Sequence, residues 1–258
     1  MNKTNRIGEK NINNFGSEMV IVNYKRWDNI DVYFPEYDCV VKEVEYGNFK
    51  KGKIKCSYDK SVFGVGYLGI GKYKVRENDE VTRVYNTWHS MLQRCYDEKY
   101  HKKCPTYKDC TVYKEWLNFQ NFAEWYDENF YEVDGERMHL DKDILIKHNK
   151  VYSPDTCIFV PHTINMLFTK NNSKRGESVI GTSPTKNGKY KVYCNLLDPK
   201  TGKSKQEYLG RYDTQEKAYE IYKYYKEKNI KEVADYYKEQ IPEKLYDGMY
   251  NYTVEITD

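Results

Sequence analysis

Long apolar runs are missing from this chain of 258 residues: no stretch approaches 18 consecutive apolar residues, which excludes a helical membrane span. The opening MNKTNRIGEKNINNFG has no apolar centre, so no secretory signal is expected. Cysteine pairs are missing as well. Cys39, Cys56, Cys95, Cys104, Cys110, Cys157 and Cys194 are odd in number, widely spaced and free of any CxxC. That pattern fits reduced thiols in a cytosolic protein and argues against a disulfide framework. A surplus of one charge is lacking too, since 42 basic and 39 acidic residues leave +3 overall. No internal repeat is visible, which argues against a solenoid or propeller.

Aromatic residues are abundant. They make up 16% of the chain, and 28 of them are tyrosines. They supply packing area that a disordered chain lacks. At about 150 residues per domain the length gives one or two domains, with smaller modules allowed.

Periodicity divides the chain. Residues 1–18 are polar and Asn-rich and read as a loose leader. Residues 19–80 hold β-branched and aromatic runs (MVIVNY, NIDVYF, YDCVVKEVEY) broken by Asn, Pro and Gly, which predicts a small β-rich domain. From residue 81 the period changes. Val84, Trp88, Met91, Leu92, Cys95 and Tyr96 share one helical face, and a second helix is expected over 116–128 around Trp116, Phe119, Ala123 and Tyr126. Residues 139–170 read as extended, loop, extended, helix, the helix starting at Pro161. NNSKRGES, residues 171–178, reads as a hinge. A strand near Val179, strands over 190–197 and 206–211, and a helix capped by Thr214 complete a module ending near residue 230.

The charge is unevenly spread. From Asn171 to Tyr212 nine basic residues face three acidic ones, a local +6, whereas 231–258 has three basic and seven acidic residues, a local -4. Strand alternation places Lys189, Lys191, Tyr193 and Asn195 on one face, with Tyr190, Val192 and Cys194 turned to the helix. Lysines neutralise phosphates, amides read base edges, and a sheet can enter the major groove, so double-stranded DNA is a candidate partner; an ordinary solvated face is the plainer alternative. Gly181, Gly188-Lys189-Tyr190, Leu209-Gly210, Tyr212-Asp213-Thr214, Ala218 and Tyr222 together make this segment resemble the small DNA-binding domain of plant ethylene-response factors, relatives of which occur in phage and mobile-element endonucleases. The resemblance implies three strands in the major groove backed by one helix. It marks Lys186, Lys189, Lys191, Tyr193, Asn195 and Arg211 as DNA-binding residues. Lysine stands here where the plant pattern has more arginine, and lysine lacks the rigid bidentate fork.

In the centre, His139, Asp141, Asp143, His148, Asn149, His162 and Asn165 fall within 27 residues. Such oxygen and nitrogen donors suit one hard divalent ion; a solvated strand edge and a helix cap or loop tie are the plainer alternative. Trp88, Met91, Arg94-Cys95, Pro105-Thr106-Tyr107, Trp116, Phe119, LDKDI at 140–144, YSPDTCIFV at 152–160 and Asn165 resemble phage and prophage proteins related to HNH endonucleases. The resemblance implies a ββα unit with Mg2+ or Mn2+, Asp141 and Asn165 as metal ligands, and Asn149 as the middle asparagine. Lys142 occupies the place of the family's general-base histidine; a lysine near its ordinary pKa of about 10.4 is a poor base. His139 is then the expected catalytic base, with His148 a second candidate. Cys95, Cys104, Cys110 and Cys157 lack a knuckle pair, and Cys95 lies on an apolar stripe, so structural zinc is not expected.

The expected architecture is α+β and multidomain: an N-terminal β domain, an HNH-like ββα centre with flanking helices over 81–170, and a three-stranded sheet packed on a helix over 179–230. An acidic, partly helical tail follows over 231–258. The expected function is a phage-type DNA-binding protein with metal-dependent endonuclease activity, acting in the cytoplasm of a bacterial host. The alternatives are a catalytically inactive DNA-binding factor and a protein that binds a host protein. No membrane partner is expected.

Overall fold

The computed structural model describes residues 6–169 and 178–256. Residues 171–177 of the expected hinge lie outside the described residues, as do residues 1–5 of the expected leader and 257–258 of the expected tail. The architecture is mixed α/β, with seven α-helices and several small sheets among the described residues. None of these helices is long and apolar enough to cross a membrane. The chain divides into two compact units, residues 1–128 with 151–153, and residues 129–150 with 154–258.

The first unit opens with an antiparallel sheet in sequence order: β1 (Lys10–Ile12), β2 (Glu18–Arg26), β3 (Asn29–Phe34) and β4 (Cys39–Val44), followed by α1 (Tyr46–Lys50). Alternation sends Met19 and Ile21 of β2, and Ile30, Val32 and Phe34 of β3, into one core with Phe49 of α1. Residues 10–18 differ from the expected loose leader, because β1 pairs with β2 and both Asn13 and Ser17 are buried. The reason is polar rather than apolar. The buried Asp59 carboxylate accepts from Asn13 Nδ2 at 2.7 Å, Ser17 Oγ at 2.6 Å and the Cys56 amide at 2.7 Å. Asn13 Oδ1 accepts from the Phe15 and Ser17 amides, each at 2.9 Å. Polar residues bury readily when their donors and acceptors are matched.

A two-residue pair of strands, β5 (Arg76–Glu77) and β6 (Glu80–Val81), leads into α2 (Arg83–Tyr96), where the Thr82 hydroxyl caps the first turn. Trp88, Met91, Leu92 and Cys95 form its buried stripe, and the Trp88 indole donates to the Trp116 carbonyl at 2.7 Å. After α3 (Glu98–Lys103) and β7 (Thr111–Val112), α4 covers Phe119–Asn129. The second expected helix thus starts later than residue 116. Trp116 belongs to a 3-10 turn, and Asn118 is extended, which separates that turn from α4.

The second unit holds β8 (Met138–Asp141). Residues 151–153 return to the first unit, where β9 (Val151–Tyr152) pairs in parallel with β7. Then β10 (Ile158–Pro161) pairs antiparallel with β8 and runs directly into α5 (His162–Phe168), completing a ββα unit. β11 (Thr182–Pro184), β12 (Tyr190–Asp198) and β13 (Lys203–Tyr212) form an antiparallel sheet in that order, followed by α6 (Gln215–Tyr237) and α7 (Glu243–Tyr250). One core joins Val160, Ile164 and Leu167 of the ββα unit to Leu197 of β12, Ile230 and Val233 of α6, and Leu245 and Met249 of α7. The expected boundary at 230/231 therefore falls inside a continuous helix. The expected 81–170 module is also divided, with α2 and most of α4 in the first unit and the ββα in the second.

Candidate nucleic-acid interface and ββα site

Strand alternation and hairpin register build the sheet face. The hairpin closes at Asp198↔Lys203, which pairs Asn195 with Gln206 and Tyr193 with Tyr208. A bulge follows between Val192 and Tyr193, and beyond it Lys191 pairs with Arg211 and, on the other side, with Ser183 of β11. Gly210, at a φ of 119°, takes the conformation at this bulge. Val192 and Cys194 point the other way, into a core with Ala218 and Tyr222 of α6. The outward face is a three-rung ladder: cations at one end, a tyrosine pair with ring centroids 5.3 Å apart, then two amides.

The six expected DNA-binding residues do not all reach this ladder. Lys191, Tyr193, Asn195 and Arg211 do. Lys186 is exposed in the turn between β11 and β12, and Lys189 is ion-paired to Asp213 at 2.8 Å. Tyr208 and Gln206 belong to the ladder but were not singled out from sequence. The signal for them was the Pro199–Gly202 turn, which fixes the residues opposite Tyr193 and Asn195.

In the ββα unit, β8 presents His139 and α5 presents His162, with His139 Nε2 and His162 Nδ1 3.1 Å apart. One ring donates and the other accepts, so their tautomers are linked. Asp141 Oδ1 accepts from the amides of Asp143 at 2.7 Å and Ile144 at 2.8 Å. Burial pushes its carboxyl above the ordinary range, and the two amides offset that only in part. Lys142 is buried, at 5% exposure, and its ammonium donates to the Asn149 carbonyl at 2.8 Å and to the Asp143 carboxylate. Asn149 Nδ2 donates back to the Lys142 carbonyl at 2.8 Å. Lys142 and Asn149 thus clamp the loop between them. His148 is engaged elsewhere, with Nε2 3.1 Å from the Glu255 carboxylate.

Glu136 secures α5. Its carboxylate accepts from the Thr163 amide at 3.2 Å and from the Tyr237 hydroxyl at 2.8 Å. Burial raises its pKa, but the hydrogen bonds from Thr163 and Tyr237 outweigh that and hold it below the ordinary value. Asn165 lies on α5, one turn beyond His162.

Of the carboxylates near the expected metal position, Asp141 Oδ1 serves two amides and Asp143 Oδ1 holds the Lys142 ammonium. Among the described residues no cluster of three or more His, Cys, Asp or Glu side chains could hold a metal ion. None of the seven cysteines is in a disulfide. No family model, curated protein or solved structure matches the chain.

Proposed function

We propose that the chain binds double-stranded DNA through the outward face of β11, β12 and β13. The observation that carries this reading is the ladder of Lys191/Arg211, Tyr193/Tyr208 and Asn195/Gln206. The two cations meet phosphates, the tyrosines give flat contact area, and the amides offer the paired donor and acceptor that adenine presents in the major groove. One member of the cationic rung is lysine, which lacks the rigid bidentate fork, so that rung serves phosphates more than base readout.

Fluorescence anisotropy with a labelled duplex tests it. Affinity falls as salt rises, by a slope of about -0.9 for each phosphate neutralised. Lys191→Met and Arg211→Met each weaken binding and flatten the slope by about one contact. An affinity unchanged in the double variant would overturn the assignment.

A second reading, phosphodiester hydrolysis in the ββα unit, draws on the linked pair of His139 and His162. Neutral imidazole is a competent general base near pH 7. Supercoiled plasmid incubated with the protein, with Mg2+, Mn2+ or EDTA, reports nicking on a gel. Nicking lost in both His139→Ala and His162→Ala supports hydrolysis. A mobility shift without nicking leaves the DNA-binding reading alone.

A further inference from the structure

The second unit contains a cleft of about 410 Å3, within the size range of small-ligand sites. β11 stops short of the full length of β12: the Tyr193 amide bonds the Gly181 carbonyl, and the next contact along that edge is Asn229 of α6, which bonds both the amide and the carbonyl of Leu197. The cleft opens in this interval. Its walls include Lys226 and Tyr222 of α6, Tyr252, Leu167 of α5, and Asn195 and Gln206 of the strands.

Lys226 is the one charged side chain among the described residues that line it. Among the described residues it makes no hydrogen bond and no ion pair. Burial pushes its pKa down, and the nearby Cys194 thiol opposes this weakly. Cys194 is no counter-ion, because burial raises its own pKa to about 11 and leaves the thiol neutral at pH 7. A desolvated ammonium without a partner is costly unless an anion completes it. The other walls suit a flat ring with polar edges: tyrosines for stacking, amides for hydrogen bonds.

We propose that this cleft is a binding site for a mononucleotide, with Lys226 pairing with the phosphate and Asn195 and Gln206 meeting the base edge. The same chemistry can come from a free nucleotide or from the phosphorylated end of a DNA strand. The cleft shares Tyr193, Asn195 and Gln206 with the outward ladder but takes in neither Lys191 nor Arg211, so variants at those two cations separate nucleotide binding from duplex binding.

The test is calorimetric titration of the full chain with dAMP, dGMP, dCMP, dTMP, deoxyadenosine and inorganic phosphate. The expected result is saturable binding of at least one mononucleotide, about tenfold or more tighter than deoxyadenosine or phosphate. Lys226→Gln, with a native circular dichroism spectrum, should abolish it, while Lys191→Met with Arg211→Met should leave it intact. A readout on the unaltered protein accompanies these variants. Acetylation of Lys226 by acetic anhydride, followed by mass spectrometry, should slow when the mononucleotide is present. Duplexes with and without a 5′-phosphate, used as competitors, separate the two sources: displacement by the phosphorylated end alone indicates a strand end, and no displacement indicates a free nucleotide. Millimolar mononucleotides that neither bind nor protect Lys226 would overturn the proposal. So would phosphate binding as tightly as the nucleotides.

Discussion

Lys142 turns its ammonium inward, to the Asn149 carbonyl and the Asp143 carboxylate, and Asn149 returns the bond to the Lys142 carbonyl. A buried cation tied this way holds a loop, and its removal strands an acceptor. Lys142→Met is therefore expected to lower stability by about 1–3 kcal/mol, read from urea unfolding. Asp141 separates charge from hydrogen bonding in the same loop. Asp141→Asn keeps an oxygen for the Asp143 and Ile144 amides and should stay within about 0.5 kcal/mol of the parent, whereas Asp141→Ala should cost about 1–2 kcal/mol. Equal losses in the two variants would show that the charge, not the acceptor, matters. Sequence revealed the spacing of these residues. It did not show where their bonds go, because a lysine in a polar run reads as solvated until a carbonyl is found to receive it.

At the scale of elements, α5 depends on Glu136, whose carboxylate joins the Thr163 amide to the Tyr237 hydroxyl of α6. Its folded pKa is depressed, so the unfolded chain takes up this proton first as pH falls. The stabilisation is complete above the ordinary glutamate pKa of about 4.3 and is lost as pH drops through the lower folded value. Glu136→Gln should flatten the acid limb of a urea-midpoint profile; an unchanged limb would remove Glu136 as its cause. Gly181 fixes the approach of α6 to the sheet. Its φ is +73°, and a Cβ there would lie 2.0 Å from the Tyr222 ring, so Gly181→Ala should cost on the order of 2–4 kcal/mol in thermal or urea unfolding. The strands β12 and β13 and the Thr214 cap were legible, because alternation, the Asn187-Gly188 turn and the cap are local signals. The bulge at Val192/Tyr193 was not, since it is set by how two strands pair, and it decides that Lys191 meets Arg211.

At the scale of the molecule, the acidic tail belongs to a core. Leu245 and Met249 of α7 are fully buried in the cluster that also holds Ile164, Leu197 and Val233, and Val254 is buried with Val192, Cys194 and Ala218. Composition marks 231–258 as an acidic, partly helical tail, and its seven acidic residues lie among apolar residues at helical spacing. Sign of charge describes the outside of a helix, and the buried stripe decides where it docks. A chain ending after residue 240 would remove α7 and expose that cluster, so the second unit should lose cooperative unfolding and duplex binding together, although the removed segment has no basic face. Leu245→Ala asks the same question with one side chain. It should lower stability by about 2–4 kcal/mol in far-UV circular dichroism under urea, because a fully buried leucine leaves a cavity that its packed neighbours fill only in part. A loss below about 1 kcal/mol would mean that the tail merely lies against the unit, since exposed positions tolerate such truncation.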